Sequence, residues 1–146
     1  MKQIPGTWFE CKVRYEQTQE DGMNKMVTET YVYKAADFGE AYDKTIKDMS
    51  TSISGEFEIT AMKIARYIEV VMQDDRTEEK YYRVKVIFIT LDEKTLKEKK
   101  TACHYLVNAD SVEKARKYTD TALSDTMMDF VIEAVQEVKI SDICLD

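Results

Sequence analysis

Histidine, glycine and proline are scarce in this sequence of 146 residues, which has one histidine, four glycines and one proline. The single histidine, His104, excludes metal sites built from several histidines and leaves a serine or cysteine triad only one candidate base. The glycines are scattered, so the chain has neither a phosphate-binding glycine loop nor a GxGxxG pattern. No strong catalytic motif is therefore present, and the sequence gives no reason to expect catalytic residues, a cofactor or a metal ion.

Basic residues are in the minority, with 21 Lys and Arg against 28 Asp and Glu and a net charge of −7. Nonspecific nucleic-acid binders use Lys and Arg to displace counterions from phosphates, so duplex nucleic acid and a membrane surface are disfavoured as partners. Net charge does not describe a single pocket, however. A small anionic ligand in a local basic patch stays open as an alternative.

Long apolar runs and cysteine motifs are missing as well. No segment reaches the length that spans a bilayer, and the first residues lack the apolar run of a signal peptide. Cys11, Cys103 and Cys144 are odd in number and have no CxxC spacing, so we interpret Cys11 and Cys103 as buried free thiols. These features predict a cytoplasmic protein.

The chain repeats itself at a constant spacing. Lys12 and Lys85 lie 73 positions apart, and the same shift aligns identical residues along the chain without a gap. We interpret this pattern as a tandem duplication that makes one domain, residues 1–146, from two halves, residues 1–73 and 74–146. The aligned identities include Val13 with Val86, Thr28 with Thr101, Asp37 with Asp110, Glu40 with Glu113, Phe57 with Phe130 and Ala61 with Ala134.

Each half is predicted to contain two strands, a helix and a long final strand. The first two strands alternate apolar and polar residues, and in the first half an Asp-Gly dipeptide between them is a hairpin signal. Asp37 and Asp110, each with Glu three residues later, are typical of helix starts. The final strands change phase just after Ala61 and Ala134, which predicts a β-bulge. The predicted strands cover residues 7–17, 25–36 and 56–71, and residues 80–91, 98–109 and 129–143.

These elements predict an α+β fold with a duplicated β-β-α-β unit. The sheet should be mainly antiparallel, two helices should pack on it, and the halves should be related by a pseudo-twofold axis. A three-stranded sheet with one helix has little core of its own, so we expect each half to need the other.

The outward face of the first strand in each half is the candidate binding site. It carries Trp8, Lys12 and Arg14 in the first half and Tyr81, Arg83 and Lys85 in the second. An aromatic ring beside a cation could stack on a base and pair with a phosphate, so these residues predict a small nucleotide-like ligand. The alternative is a half-exposed sheet face with ordinary cross-strand pairs.

A family resemblance is carried by the runs WFECKVRYEQTQEDG, KMVTETYVYKAADFGEA and FEITAMKIARY. They resemble the domain of unknown function numbered 4494, a family found in Bacteroidetes and in their phages and mobile elements. The resemblance implies a small intracellular accessory protein, with a phage as one source. The second copy departs from the first, with YYRV in place of WFEC, so the two halves need not share a role.

Two functional hypotheses follow. The first is a non-enzymatic binding protein that holds the nucleotide-like ligand on the sheet face or in a groove between the halves. The second is an adaptor or structural subunit that binds proteins, or forms a homo-oligomer, through strand edges and tyrosines. Single-stranded nucleic-acid binding is less favoured because of the acidic charge, and an enzyme because of the missing catalytic residues.

Overall fold

The computed structural model describes residues 1–145, which contain nine strands and two helices in an α+β arrangement. The predicted fold class is therefore correct. The elements are β1 (Lys2–Pro5), β2 (Trp8–Thr18), β3 (Asn24–Lys34), α1 (Phe38–Ser52), β4 (Phe57–Ala65), β5 (Glu69–Met72), β6 (Tyr81–Leu91), β7 (Glu98–Asn108), α2 (Val112–Ala122), β8 (Asp129–Val138) and β9 (Asp142–Cys144).

The strands form two sheets in two compact units. The unit that we call the N-unit comprises Gly6–Arg66 and the described residues from Ile140 on, and its sheet has the order β4-β2-β3-β9. The C-unit comprises Met1–Pro5 and Tyr67–Lys139, and its sheet has the order β1-β5-β7-β6-β8. These units do not coincide with the ranges 1–73 and 74–146, because each contains a strand from outside its own half of the sequence.

The N-unit is built on the long antiparallel hairpin of β2 and β3. Its turn contains Gly22, whose positive φ of 82° is a conformation that favours glycine. β4 pairs antiparallel with the other side of β2, and β9 pairs parallel with β3. One face of this sheet packs on α1, where Phe9, Cys11 and Tyr33 lie in one cluster with Ala41; we call it the helix face.

The C-unit repeats this strand order around the hairpin of β6 and β7. β8 pairs antiparallel with β6, β5 pairs parallel with β7, and β1 adds a further antiparallel strand beside β5. The helix face of this sheet packs on α2, and its core consists of hydrocarbon side chains together with the tyrosines Tyr82 and Tyr105. The hydrocarbon side chains include Val84, Val86, Phe88, Val107, Ala115 and Leu123.

The predicted single final strand of each half is wrong. Residues 56–71 form two strands, and β5 joins the sheet of the C-unit after β4 has ended in the N-unit. Residues 129–143 behave in the same way, since β9 leaves the sheet of β8 and joins β3. Because Val70, Val71 and Met72 are consecutive buried residues, their apolar run extends the pattern of β4 and hides the break between the strands.

The constant spacing of 73 is also wrong for the middle of each half. Tyr33 lies opposite Phe9, 24 residues later, whereas Val107 lies opposite Tyr82, 25 residues later. The second hairpin therefore contains one extra residue. Positions in β3 and α1 correspond by register to positions 74 residues later, in β7 and α2.

The helix starts show the same offset. Asp37 caps α1 by accepting a hydrogen bond from the backbone N–H of Glu40 at 2.8 Å, as predicted. α2 begins one residue later than predicted, because its cap is Ser111 and not Asp110. The Asp110 carboxylate instead accepts a hydrogen bond from the backbone N–H of Glu79 at 2.7 Å.

The predicted bulges are present in β4 and β8, and the spacing of 73 holds again in these two strands, since Phe57 lies opposite Tyr15 and Phe130 lies opposite Phe88. Lys12 lies opposite Ala61 but Val13 lies opposite Ile59, so Thr60 is the bulged residue. β8 has the corresponding register shift, which leaves Glu133 as the bulged residue. Each bulge therefore lies one residue before the predicted place. The element-by-element correspondence is a property of the structure, and its origin by tandem duplication stays a prediction.

Candidate functional site

The predicted aromatic residues do not form a ligand platform. The Trp8 side chain is 0% exposed and Tyr81 is 7% exposed, so neither ring offers a face to a ligand from solvent. The expectation that these residues point to water is wrong, because this end of β2 and β6 is buried on both faces of the strand. The Trp8 indole Nε1 has no hydrogen-bond partner among residues 1–145.

The predicted cations, two in each unit, lie on strand surfaces that are exposed or, at Lys85, half-exposed. In the C-unit, Lys85 Nζ is 3.0 Å from Glu133 Oε1 and Arg83 Nη2 donates to Gln136 Oε1 at 3.1 Å. These are cross-strand contacts of the kind that the alternative interpretation predicted.

In the N-unit, Lys12 and Arg14 are exposed on the sheet face that points away from α1. Arg14 lies directly opposite Glu58 of β4 in the register of the two strands. A carboxylate therefore neighbours this cation within the sheet, as Glu133 neighbours Lys85 in the C-unit.

Groups with reactive potential are not combined into a catalytic arrangement. His104 lies opposite Lys85, and its pKa is lowered by burial and then by the nearby charges of Arg83 and Lys85. Burial raises the pKa of the Cys11 thiol, which disfavours the thiolate. Within residues 1–145, no group of three or more His, Cys, Asp and Glu side chains is placed to hold a metal ion.

A cavity lies at the start of α1 in the N-unit. Its volume is about 430 Å³, and it lies between the approach to β2, the end of β3 and the first turns of the helix. We call it the α1 cavity. Its lining residues are Thr7, Lys34, Ala35, Ala36, Glu40, Lys44 and Leu145.

Glu40 and Lys44 are fixed against the wall of the α1 cavity. Lys44 Nζ is 3.1 Å from Glu40 Oε1 and donates to the carbonyl oxygen of Lys34 at 2.6 Å. Glu40 Oε2 accepts a hydrogen bond from the backbone N–H of Ala36 at 3.2 Å. That bond, followed by the contact with Lys44, holds the pKa of Glu40 below its usual range, so the group is a carboxylate.

Lys34 is the cation of this cavity whose ammonium group has no hydrogen-bond or ion-pair partner in the described part of the chain. Its aliphatic stem crosses Gly6, where a Cβ would lie 2.8 Å from Lys34 Cε. Gly6 has a φ of +157°, so both its conformation and this close approach favour glycine. The local chain therefore allows the Lys34 stem to lie along the cavity.

The C-unit contains an internal carboxylate at the corresponding place. Positions 34, 40 and 44 correspond by register to Asn108, Lys114 and Tyr118. Tyr118 donates its hydroxyl hydrogen to Glu78 Oε1 at 2.7 Å, and Lys114 Nζ lies 3.4 Å from the same oxygen. Asn108 Nδ2 donates to the backbone carbonyl of Glu78 at 3.0 Å. The Glu78 side chain is only 6% exposed.

The N-unit lacks an equivalent of Glu78 because its chain takes another path. The backbone N–H of Ala35 donates to Thr7 O at 3.1 Å, as Ala109 donates to Lys80 O at 2.9 Å, so Thr7 and Lys80 correspond. The position that corresponds to Glu78 is thus Pro5. Pro5 ends β1, which pairs with β5 and belongs to the C-unit. Residues 1–6 also contain no Asp or Glu, so none of them can play the part of Glu78 in the α1 cavity.

Sequence reasoning missed this site. Lys34 and Lys44 were visible as cations near a helix start, but the gapless spacing of 73 pairs Glu40 with Glu113 and Lys44 with Lys117. Both pairings are out of register by one residue. The signal that could have found the site was the single insertion in the second hairpin. Once it is allowed for, Thr45 aligns with Thr119. Each of these buried threonines donates a hydrogen bond to the helix carbonyl four residues earlier.

A second polar feature lies on the helix face of the N-unit. The hydroxyls of Tyr15 and Tyr31 both donate to the Glu29 carboxylate, and Tyr33 donates to Asp48 Oδ2 at 2.7 Å. We call these five residues the tyrosine cluster. The bond to Glu29 is the main cause that raises the pKa of Tyr15, to about 12. Burial is the main cause that raises the pKa of Tyr31 and Tyr33. The corresponding C-unit positions carry Phe88, Cys103, Tyr105, Val107 and Ala122.

No helix in the described part of the chain is both long enough and apolar enough to cross a membrane. Neither the curated proteins nor the solved structures contain a match to the chain. A family match does cover residues 7–146, which include every residue of the α1 cavity and of the tyrosine cluster. The chain belongs to the family described as Domain of unknown function (DUF4494).

Proposed function

We propose that this protein is a non-enzymatic binding protein that holds a small anionic group, such as a carboxylate, in the α1 cavity. The observation that carries the proposal is the position of Glu78 in the C-unit. There Lys114 and Tyr118, at the positions of Glu40 and Lys44, bind the Glu78 carboxylate, and Asn108, at the position of Lys34, binds the Glu78 backbone carbonyl. In the N-unit the chain leaves this place open and supplies lysines to its wall.

Local charge supports an anion as the ligand. Lys34 and Lys44 contribute two positive charges and Glu40 one negative charge, so the wall is net positive in a protein whose net charge is −7. Lys44 is already engaged by Glu40 and by the Lys34 carbonyl, whereas the Lys34 ammonium is not. Lys34 is therefore the residue from which an incoming anion would gain a new charge-assisted hydrogen bond.

The cavity does not favour a base over any other group attached to the anion. None of its lining residues is aromatic, and Trp8 and Tyr81 are buried elsewhere in the chain. In place of the nucleotide-like ligand predicted on the sheet face, we therefore propose an anion with the chemistry that carboxylates and phosphates share. Which of the two sources supplies the anion is an outcome of the experiment.

Calorimetric titration of the full chain with succinate, inorganic phosphate and adenosine monophosphate tests the proposal. Binding of at least one probe is expected, and Lys34→Gln should weaken it by roughly tenfold, the loss of one charge-assisted hydrogen bond. Lys12→Gln is the control, because this exposed lysine lies on β2 and does not line the cavity. Absence of saturable binding to all three probes, or equal binding by the Lys34 variant, would contradict the proposal.

We also propose a cytoplasmic location and, on the family resemblance alone, a source in Bacteroidetes or their phages. The location is supported by Cys11, Cys103 and Cys144, which are free thiols. Disulfides form and persist in oxidising compartments and are rare in the cytosol, so a chain with three cysteines and no disulfide fits a reducing compartment. Cell fractionation of the native host tests the location, and recovery from a periplasmic or extracellular fraction would contradict it.

A further inference from the structure

The outer edge of β4 in the N-unit carries more exposed apolar surface than the fold requires. β4 is the end strand of its sheet and, among the described residues, pairs with β2 alone. Ile64 lies opposite Phe9, on the helix face, yet its side chain is 45% exposed. Phe38 and Tyr42, one turn apart on α1, are each about half exposed as well.

The C-unit shows that this apolar surface is not needed for folding. The positions that correspond to Phe38 and Tyr42 carry Val112 and Arg116, and the position that corresponds to Ile64 in β8 carries Glu137. Charged groups are therefore accepted at two of the three places in a closely similar unit. Exposed apolar residues that a fold does not need indicate a contact surface.

The bulge at Thr60 changes which face of the sheet the following β4 side chains lie on. Residues of an antiparallel pair that lie directly opposite each other share a face of the sheet, and the bulge shifts this pattern by one residue. Glu58 and Lys63, opposite Arg14 and Glu10, consequently point away from α1. Lys63 Nζ lies 3.7 Å from Glu10 Oε1, but its side chain is 69% exposed and can also reach a second copy. The helix face of β4 carries four apolar side chains, Phe57, Ile59, Met62 and Ile64.

The side chains of β4 are complementary to those of β4 in a second, antiparallel copy. If a second copy pairs antiparallel with β4 about a twofold axis between Thr60 and Ala61, Glu58 of each copy lies opposite Lys63 of the other. The same register places Phe57 opposite Ile64 and Ile59 opposite Met62, all on the helix face. Both ends of the paired strands thus gain an ion pair and an apolar pair, as a twofold interface requires.

We propose that the protein forms a homodimer in which the β4 strands of two copies pair in this register and continue the sheet of the N-unit from one copy to the next. The unpaired backbone groups of β4 supply the hydrogen bonds of the new ladder. Glu58 and Lys63 favour this register and a second copy of this chain as the partner, because antiparallel pairing of β4 with itself places each charge opposite its counter-charge.

The edge strand of the C-unit does not share this property. The equivalent register for β8 keeps one apolar pair, Ile132 with Val135, but places Phe130 opposite Glu137 and Val131 opposite Gln136, so two of the three pairs join apolar and polar side chains. β8 therefore lacks the complementarity of β4, and the proposed dimer uses the N-unit alone.

Sedimentation equilibrium of the full chain over a range of concentrations tests the dimer. The wild type should dimerise, and Glu58→Lys should weaken dimerisation by roughly tenfold, because it places like charges opposite each other at both ends of the interface. The double variant with Glu58→Lys and Lys63→Glu should dimerise again. Glu133→Lys on β8 is the matched control and should leave the dimer unchanged.

Urea denaturation of each variant shows whether the charge changes have disturbed the fold. A folded Glu58→Lys variant that dimerises like the wild type would assign the dimer to another surface and overturn the proposal. A wild type that stays monomeric up to its solubility limit would overturn it as well, and so would a folded double variant that does not recover dimerisation.

Discussion

Single residues account for the difference in chemistry between the two helix faces. Glu29 of the N-unit accepts hydrogen bonds from Tyr15 and Tyr31, whereas the corresponding positions in the C-unit are Cys103, Phe88 and Tyr105. A tyrosinate beside a carboxylate would lose its donor hydrogen and meet a like charge, so the neutral hydroxyl is favoured. The tyrosine cluster therefore ties the stability of the N-unit to pH in the alkaline range. Tyr105 and Tyr118 of the C-unit also have raised pKa values, but neither shares a carboxylate with a second tyrosine.

The Tyr15→Phe variant should reveal this dependence. The folded pKa of Tyr15 is raised to about 12 from its ordinary value of 10, so the stabilisation from its hydroxyl is fully present below pH 10 and is lost as the pH rises through about 12. The wild type should thus be more stable than the variant at neutral pH, and the difference should shrink in alkali. Urea denaturation of both proteins at several pH values measures this difference in the free energy of unfolding. A difference that stays constant up to pH 12 would contradict the stabilising role of the Tyr15 hydroxyl.

The candidate site shows which residues a sequence can and cannot identify. Alternation predicts that Trp8 and Lys12 share a face of β2, and they do. It does not predict that Trp8 is buried, because a strand can be covered on both faces at one end and exposed at the other. Lys34 was not recognised since its importance depends on the path of Gly6 and Pro5, which is a tertiary property.

At the scale of elements, the hairpins and helices were predictable because local rules determine them. The strand boundaries of β2, β3, β6 and β7 lie within a residue or two of the predicted ranges, since alternation and turn residues act over short distances. β5 and β9 were not predictable as separate strands, because short apolar runs carry no information about the sheet that they join. The start of α2 was displaced by a single insertion in the preceding hairpin.

The helix start at Ser111 provides a test at this scale. Its hydroxyl accepts the hydrogen bond from the backbone N–H of Lys114 at 3.2 Å, so Ser111→Ala should lower the free energy of unfolding by about 1 kcal/mol. Ser111→Asp is the control, because aspartate caps helices equally well and its charge is favourable at a helix N-terminus. Thermal and urea denaturation report both effects. If the Asp variant is as unstable as the Ala variant, Ser111 does not act as the cap.

At the scale of the whole molecule, the two sheets depend on an exchange of strands along the chain. β5 follows β4 in sequence but pairs with β7, and β9 follows β8 but pairs with β3. Residues 1–73 therefore lack the strand that completes their own sheet and contain β1 and β5, which belong to the other. The buried side chains of these strands, such as Val70 and Ile143, would be exposed in a separated half.

Expression of residues 1–73 and 74–146 as separate fragments should therefore yield chains without a cooperative unfolding transition. Separating the halves removes the buried apolar side chains of β5 and β9 from both sheets. Each large buried residue lost lowers the free energy of unfolding by about 2–5 kcal/mol, and the total for a typical domain is only about 5–15 kcal/mol. Mixing the fragments should restore the transition, because together they contain every strand.

A chain cut instead in the exposed turn between β6 and β7, at residues 92–97, keeps β1 to β5 connected and serves as the control for the cut itself. Circular dichroism during urea denaturation measures the cooperativity, and Trp8 fluorescence follows the N-unit separately because this residue is the only tryptophan. A cooperative transition in either isolated fragment would show that its sheet is stable without the exchanged strand, and the dependence of each unit on the other half of the sequence would then be wrong.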